Sequence, residues 1–96
     1  MASKGVVRKG DLCSGHDCWP PRDATSWSPD VYANNLNVER YSDTLAEHCC
    51  IDDCHTGIYM GTRSVYANGL AIQVKDDPID CGSICDECSS DVGINS

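Results

Sequence analysis

The sequence predicts a small all-β domain of three β-hairpins set around a pseudo-threefold axis. Three observations predict it. The first is an ungapped internal repeat: Asp30-Val31-Tyr32-Ala33-Asn34-Asn35-Leu36-Asn37-Val38 aligns with Ser64-Val65-Tyr66-Ala67-Asn68-Gly69-Leu70-Ala71-Ile72, sharing Val-Tyr-Ala-Asn and the leucine. The second is a two-residue turn in the middle of each copy. The third is composition: the chain has no phenylalanine, and among its apolar residues Val, Ile and Tyr favour strands over helices.

In chain order, Val6-Val7-Arg8-Lys9-Gly10-Asp11 comes first and aligns with residues 38–43 and 72–77, the second strands of the two copies. A complete hairpin over residues 30–38 follows, turning at Asn34-Asn35. The next, over residues 64–72, turns at Asn68-Gly69, the stronger signal because both residues of a type I′ turn need positive φ. Residues flanking such a turn pair, so Val31, Ala33, Leu36 and Val38 share one face, as do Val65, Ala67, Leu70, Ile72 and Val74; these faces are expected to build the core. Tyr32 and Tyr66 fall on the opposite face. Last, Asp91-Val92-Gly93-Ile94-Asn95 aligns with residues 30–34, a first strand, so the first and last segments are expected to form the third hairpin together.

The 96 residues suit one domain, 1–96, which at this size often leans on a metal, disulfides or a partner. A formal net charge of -8 argues against nucleic acid or an anionic membrane as partner, because phosphate attraction needs clustered Lys and Arg. Six acidic residues and no basic one fall within residues 76–96. The first ten residues lack the apolar core of a signal peptide, and no apolar run approaches a membrane span. The chain is therefore expected to be made in a cytoplasm, where its eight cysteines read better as thiols and metal ligands than as a disulfide framework.

The repeat also creates a candidate site. If the three hairpins are equivalent, the loops leaving their second strands emerge near one end of the axis. His16 stands five residues after Asp11, His48 five after Asp43 and Cys81 four after Asp77, one nitrogen or sulfur ligand per unit. His55, later in the long second loop, supplies a fourth. Three imidazoles and a thiolate form a tetrahedral set for a borderline-soft divalent ion, zinc or iron. Four protein ligands close the shell and leave no place for an activated water, so the ion's expected role is structural. Cys85-x-x-Cys88 is the competing motif, at a spacing that suits a zinc knuckle or a redox pair, but it has no second CxxC to match.

These residues resemble the PAAR-repeat family, the tip proteins of contractile phage tail spikes and type VI secretion spikes. The matching pieces are Val7-Arg8-Lys9-Gly10-Asp11, Ser14-Gly15-His16-Asp17, Pro20-Pro21-Arg22, Ser28-Pro29-Asp30-Val31-Tyr32-Ala33-Asn34, His48-Cys49-Cys50, Cys54-His55-Thr56-Gly57, Gly61-Thr62-Arg63-Ser64-Val65-Tyr66-Ala67-Asn68-Gly69 and Asp80-Cys81-Gly82-Ser83. The eponymous Pro-Ala-Ala-Arg is not intact; Asn37-Val38-Glu39-Arg40 and Ala71-Ile72-Gln73-Val74 stand in its place. The resemblance implies a short pseudo-threefold cone of hairpins with a metal at its apex, and it carries the three-His, one-Cys ligand set onto His16, His48, His55 and Cys81.

The resemblance further implies a role as the cap of a trimeric β-helical spike, one monomer on three chains. The base strands, ending near Val31, Val65 and Val92, are then the surface that seats on the spike. The expectation is a structural virion protein at the tail baseplate, made in the host cytoplasm, meeting the bacterial envelope transiently as the tail contracts. It has no catalytic residues, nucleic acid or small-molecule substrate. The compact length favours a phage over a secretion system. Two alternatives remain at this point: a small zinc-binding interaction or redox module centred on Cys85 and Cys88, and a disulfide-rich secreted protein. The roles of Cys13, Cys18, Cys49, Cys50, Cys54, Cys85 and Cys88 stay open.

Overall fold

Asn34 and Asn35 take φ of 55° and 64°, and Asn68 and Gly69 take 54° and 77°, so both repeat copies reverse in the two-residue turn whose twist suits a hairpin. The computed structural model describes residues 3–95. Among them are β1 (Lys4–Gly5), β2 (Tyr32–Ala33), β3 (Leu36–Asn37), β4 (Thr44–Cys50), β5 (Asp53–Ile58), β6 (Tyr66–Ala67), β7 (Leu70–Ala71) and β8 (Gly93–Ile94), with no helix. β2 pairs with β3 and β6 with β7, both antiparallel. The first and last strands make a further pair, Lys4 opposite Ile94 and Gly5 opposite Gly93.

Beyond these hairpins the second strands meet one another. Val7 N–H donates to the Gln73 carbonyl (2.9 Å), Glu39 N–H to Val7 (3.0 Å) and Gln73 N–H to Glu39 (3.0 Å), so the bonds close into a ring. A second tier repeats the sense: Lys9 N–H to Asn37 (2.7 Å), Tyr41 to Ala71 (2.7 Å) and Lys75 to Gly5 (2.9 Å). Each strand thus satisfies its backbone groups against its neighbours, which is the condition for burying a backbone.

The acidic landmarks of the repeat close the turns that leave this ring. Asp11, Asp43 and Asp77 each donate a backbone N–H to the residue three earlier, and each carboxylate accepts that residue's N–H in return, at 2.9, 2.8 and 2.7 Å. Arg8 and Arg40 also pair with their aspartates side chain to side chain, whereas position 74 is valine and Asp77 takes Arg63 instead. The turn asparagines stitch one unit to another. Asn34 Nδ2 donates to Asp91 and Asn68 Nδ2 to Asp30, while their Oδ1 atoms accept from Ser89 and Ser28.

Two apolar clusters form. One holds Val7, Cys13, Ala24, Leu45, Tyr59, Ile79 and Cys85. The other holds Val6, Ala33, Val38, Ala67 and Ile72, with Val31 and Ile94 packed against it. Val6 and Val7, Val38 and Glu39, and Ile72 and Gln73 are all buried, because the ring strands lie between the two clusters and are covered on both faces. Tyr32 and Tyr66 face outward as expected, 56% and 59% exposed. Leu36 and Val65, assigned to the core by alternation alone, remain 39% and 40% exposed, lying past the edge of the packed cluster.

The long second loop is in fact a hairpin. β4 and β5 pair with His48 opposite His55, Cys49 opposite Cys54 and Cys50 opposite Asp53, after a register shift between Leu45 and His48. Four cysteines also differ from the thiols expected of them: Cys18 is bridged to Cys50 and Cys49 to Cys54. Cys13, Cys81, Cys85 and Cys88 are free.

Candidate metal centre

Each imidazole of the candidate set is held by its local backbone. His16 and Trp19 exchange N–H···O bonds of 3.0 and 2.8 Å, making a tight turn in which the His16 ring stacks on the indole, centroids 4.8 Å apart. Gly15 enters this turn with φ of 68°, and a side chain there would run into the Trp19 carbonyl and the Pro20-Pro21 backbone. Only glycine combines that φ with so close an approach at little cost. His48 and His55 are cross-strand neighbours on the β4–β5 hairpin.

His48 is 4% exposed, and its Nδ1 lies 2.8 Å from the Pro20 carbonyl. That carbonyl can only accept, so Nδ1 carries the proton and Nε2 presents its lone pair, the arrangement seen in metal-ligating histidines. Burial pushes His48 below the usual imidazole range; the Pro20 bond opposes this, and the nearby Arg22, His55 and His16 charges add to it. Its neutral form, the one that ligates, is favoured.

The three Nε2 atoms face one another, His48 to His55 at 2.7 Å and His16 to His55 at 3.1 Å. A tetrahedral centre with Zn–N bonds of about 2.0 Å sets its nitrogens about 3.3 Å apart, close to this spacing. Cys81 Sγ completes the group: one ligand atom from each of His16, His48, His55 and Cys81 lies within 4.8 Å of all the others. The residues fit a four-coordinate ion bound by three nitrogens and one sulfur, with no open position.

Arg22 organises the sulfur side. It is 5% exposed; Nη2 donates to Cys81 Sγ at 2.8 Å, and Nη1 to the Ala46 and His55 carbonyls at 3.1 and 3.2 Å. One buried guanidinium therefore ties the fourth ligand to both strands that carry His48 and His55. Gly57 makes room for it, since a Cβ there would strike the guanidinium. No carboxylate pairs with Arg22 among the described residues. The sequence offered Arg22 only as part of a matching segment, and nothing in that segment signals its contact with Cys81.

The other sequence candidates lie elsewhere. Cys85 is 1% exposed within the first apolar cluster, where burial pushes its thiol far up, and Cys88 packs beside that cluster. Neither joins a group of clustered ligands among the described residues. Glu47, Cys49 and Cys54 also lie close together, but the two sulfurs are bonded to each other. Val31, Val65 and Val92 occupy matching places, their carbonyls accepting from Val38 (3.0 Å), Ile72 (2.9 Å) and Val6 (2.9 Å). Val65 and Val92 are 40% and 38% exposed, and Val31 is half-buried. No protein-family model matches the chain, and no curated protein matches it significantly.

Proposed function

We propose that the chain is a structural spike-tip protein of the PAAR type: a pseudo-threefold cone whose apex is stapled by one zinc or iron ion and whose base caps a trimeric β-helical spike of a contractile phage tail or type VI secretion system. The convergence of His16, His48, His55 and Cys81 on one point carries the reading. Three imidazoles and one thiolate satisfy a divalent ion completely, which suits holding loops together and leaves no site for bound substrate. In so small a chain, binding free energy at that point is largely folding free energy.

The closed ring of Val7, Glu39 and Gln73 supports the threefold part of the reading, since a monomer seated on three equivalent chains benefits from presenting three similar edges. Cys81 packs on one apolar cluster and Val31 on the other, which supports setting the ligand end apart from the proposed seating end. The partly exposed Val65 and Val92, with Val31, offer the spike an apolar contact at matching positions. The proposed localisation is the tip of the baseplate spike, with the envelope met only during penetration.

Elemental analysis of the purified protein tests the metal half of the reading: one zinc or iron per chain is expected, and its absence both alone and in complex with a candidate spike would sink it. Native mass spectrometry with that trimeric spike tests the rest. One copy per three spike chains is expected; three copies per trimer, or none, refutes the cap.

A further inference from the structure

Every histidine of the candidate centre lies within two residues of a bridged cysteine. Cys18 follows His16 by two positions, Cys49 follows His48 directly, and Cys54 directly precedes His55. We propose that the Cys18–Cys50 and Cys49–Cys54 disulfides are positioning devices of the metal centre, so that its affinity for a divalent ion depends on their oxidation. This inference rests on the metal reading above and assigns a role to four cysteines that a three-His, one-Cys site does not use.

The ladder shows why the imidazole pair needs such support. The β4–β5 ladder carries a register shift between Leu45 and His48, so the regular pairing on the core side does not run unbroken into the His48–His55 pair. On the tip side only Cys49–Cys54 and Cys50–Asp53 remain, closed by a turn whose first residue, Ile51, has φ of 59°. A β-branched residue is unfavourable there, so the turn contributes little of its own to closing the hairpin. The Cys49–Cys54 bridge, with Cα atoms 4.1 Å apart, fixes the strands one residue from the imidazole pair.

The second bridge acts on the loop of His16. The far end of that loop is tied to β4 and β5 by the Ala24–Leu45 bridge and by Arg22, whereas close to His16 its ties are the Trp19 Nε1 bond to the Asp53 carbonyl (2.8 Å), the Pro20 carbonyl on His48, and Cys18–Cys50. The last is the covalent one. With both bridges closed the three Nε2 atoms are held in place before an ion arrives, and the ordering cost of binding falls.

Cys18, Cys49 and Cys54 are exposed, so a small dithiol reaches both bridges. Reduction of each disulfide takes two electrons and two protons from the dithiol, which becomes a disulfide as two cysteine thiols form. The chain then keeps all four ligands and loses their preorganisation.

The test measures zinc affinity by competition with a chromophoric chelator for four species: the oxidised protein, the double variants Cys49→Ser/Cys54→Ser and Cys18→Ser/Cys50→Ser, and His16→Ala with both bridges intact. Loss of groups that orient metal ligands typically weakens binding about 10- to 100-fold, and a weakening of that size is expected for each serine pair. Cobalt substitution provides a second readout. The thiolate-to-cobalt absorption must keep the intensity of one sulfur ligand in every serine variant, as expected if Cys81 alone supplies it. Circular dichroism of each metal-loaded variant establishes that it is folded, and a variant unfolded even with saturating zinc counts as loss of the site. Serine pairs that bind as tightly as the oxidised protein would overturn the positioning role while leaving the metal reading intact. If the oxidised protein binds no ion, or His16→Ala binds as well as wild type, the metal reading falls and takes this inference with it.

Discussion

Glu39 sits in the hydrogen-bonded ring with no exposed surface, and neither carboxylate oxygen has a partner. Burial, reinforced by the Asp43 and Asp23 charges, pushes it from the usual 4.5 up to about 9. The folded chain therefore keeps this proton at neutral pH while the unfolded chain loses it. Below pH 4.5 both states are protonated and the group is neutral to stability. Between that point and about pH 9 the folded state holds one more proton, so stability falls as pH rises, by about 1.4 kcal/mol per unit. Gln73 occupies the matching ring position, where its amide is bonded to both the N–H and the carbonyl of Gly61. Glu39→Gln abolishes the titration at equal size. Relative to wild type, the variant is expected to gain under about 1 kcal/mol between pH 4.5 and 5 and roughly 4 kcal/mol more between pH 5 and pH 8. Urea unfolding of both proteins with saturating zinc, from pH 5 to 8.5, measures this, and taking the difference at each pH cancels the proton dependence of the metal ligands. An unsatisfied amide would add a constant offset. A difference that stays flat across the range would refute the buried neutral acid.

Arg22→Met removes three hydrogen bonds and leaves the Ala46 and His55 carbonyls without their donor; stability should fall by about 3 kcal/mol, read by thermal melting. In the same variant zinc affinity should weaken about 10-fold or more, read by chelator competition. Stripping the ion with a strong chelator should lower stability by several kcal/mol or roughly more, seen as a melting temperature that returns when zinc is added back. Gly15→Ala, at φ of 68° against the Trp19 carbonyl, should cost about 1–3 kcal/mol and shift the Trp19 fluorescence as the His16 turn opens.

Much of this arrangement was legible because it rests on local rules. Asn68-Gly69 and Asn34-Asn35 state their turns outright, and the repeat leads from them to the pairing of the two chain ends. The convergence of His16, His48, His55 and Cys81 was legible because histidine is scarce and because His16, His48 and Cys81 each fall four or five residues after a repeat landmark, with His55 in the long second loop. What sequence rules missed depends on tertiary cover. Glu39 alternates with Val38 and so reads as a solvent-facing residue, yet the ring strands are buried on both faces. The β4–β5 hairpin turns at Ile51, a residue type that signals no turn, and its closure is aided by a disulfide that the expected cellular compartment argued against. Arg63 takes the role that Arg8 and Arg40 play for their own aspartates, but it comes from the connection between β5 and β6, where no offset rule reaches it.

The closed ring has a consequence for how the chain must fold. Val7 bonds to Gln73, and the strand that begins the sequence pairs with the one that ends it. The contacts that define the architecture therefore have high contact order, and loop-closure entropy must be met before they form. The two inner hairpins can turn as soon as each leaves the ribosome, but the circle of backbone bonds stays open until Gln73 has been synthesised, and β1 has no partner until β8 follows. A truncation just before Gly93 removes the partner of β1 while leaving both inner hairpins able to form.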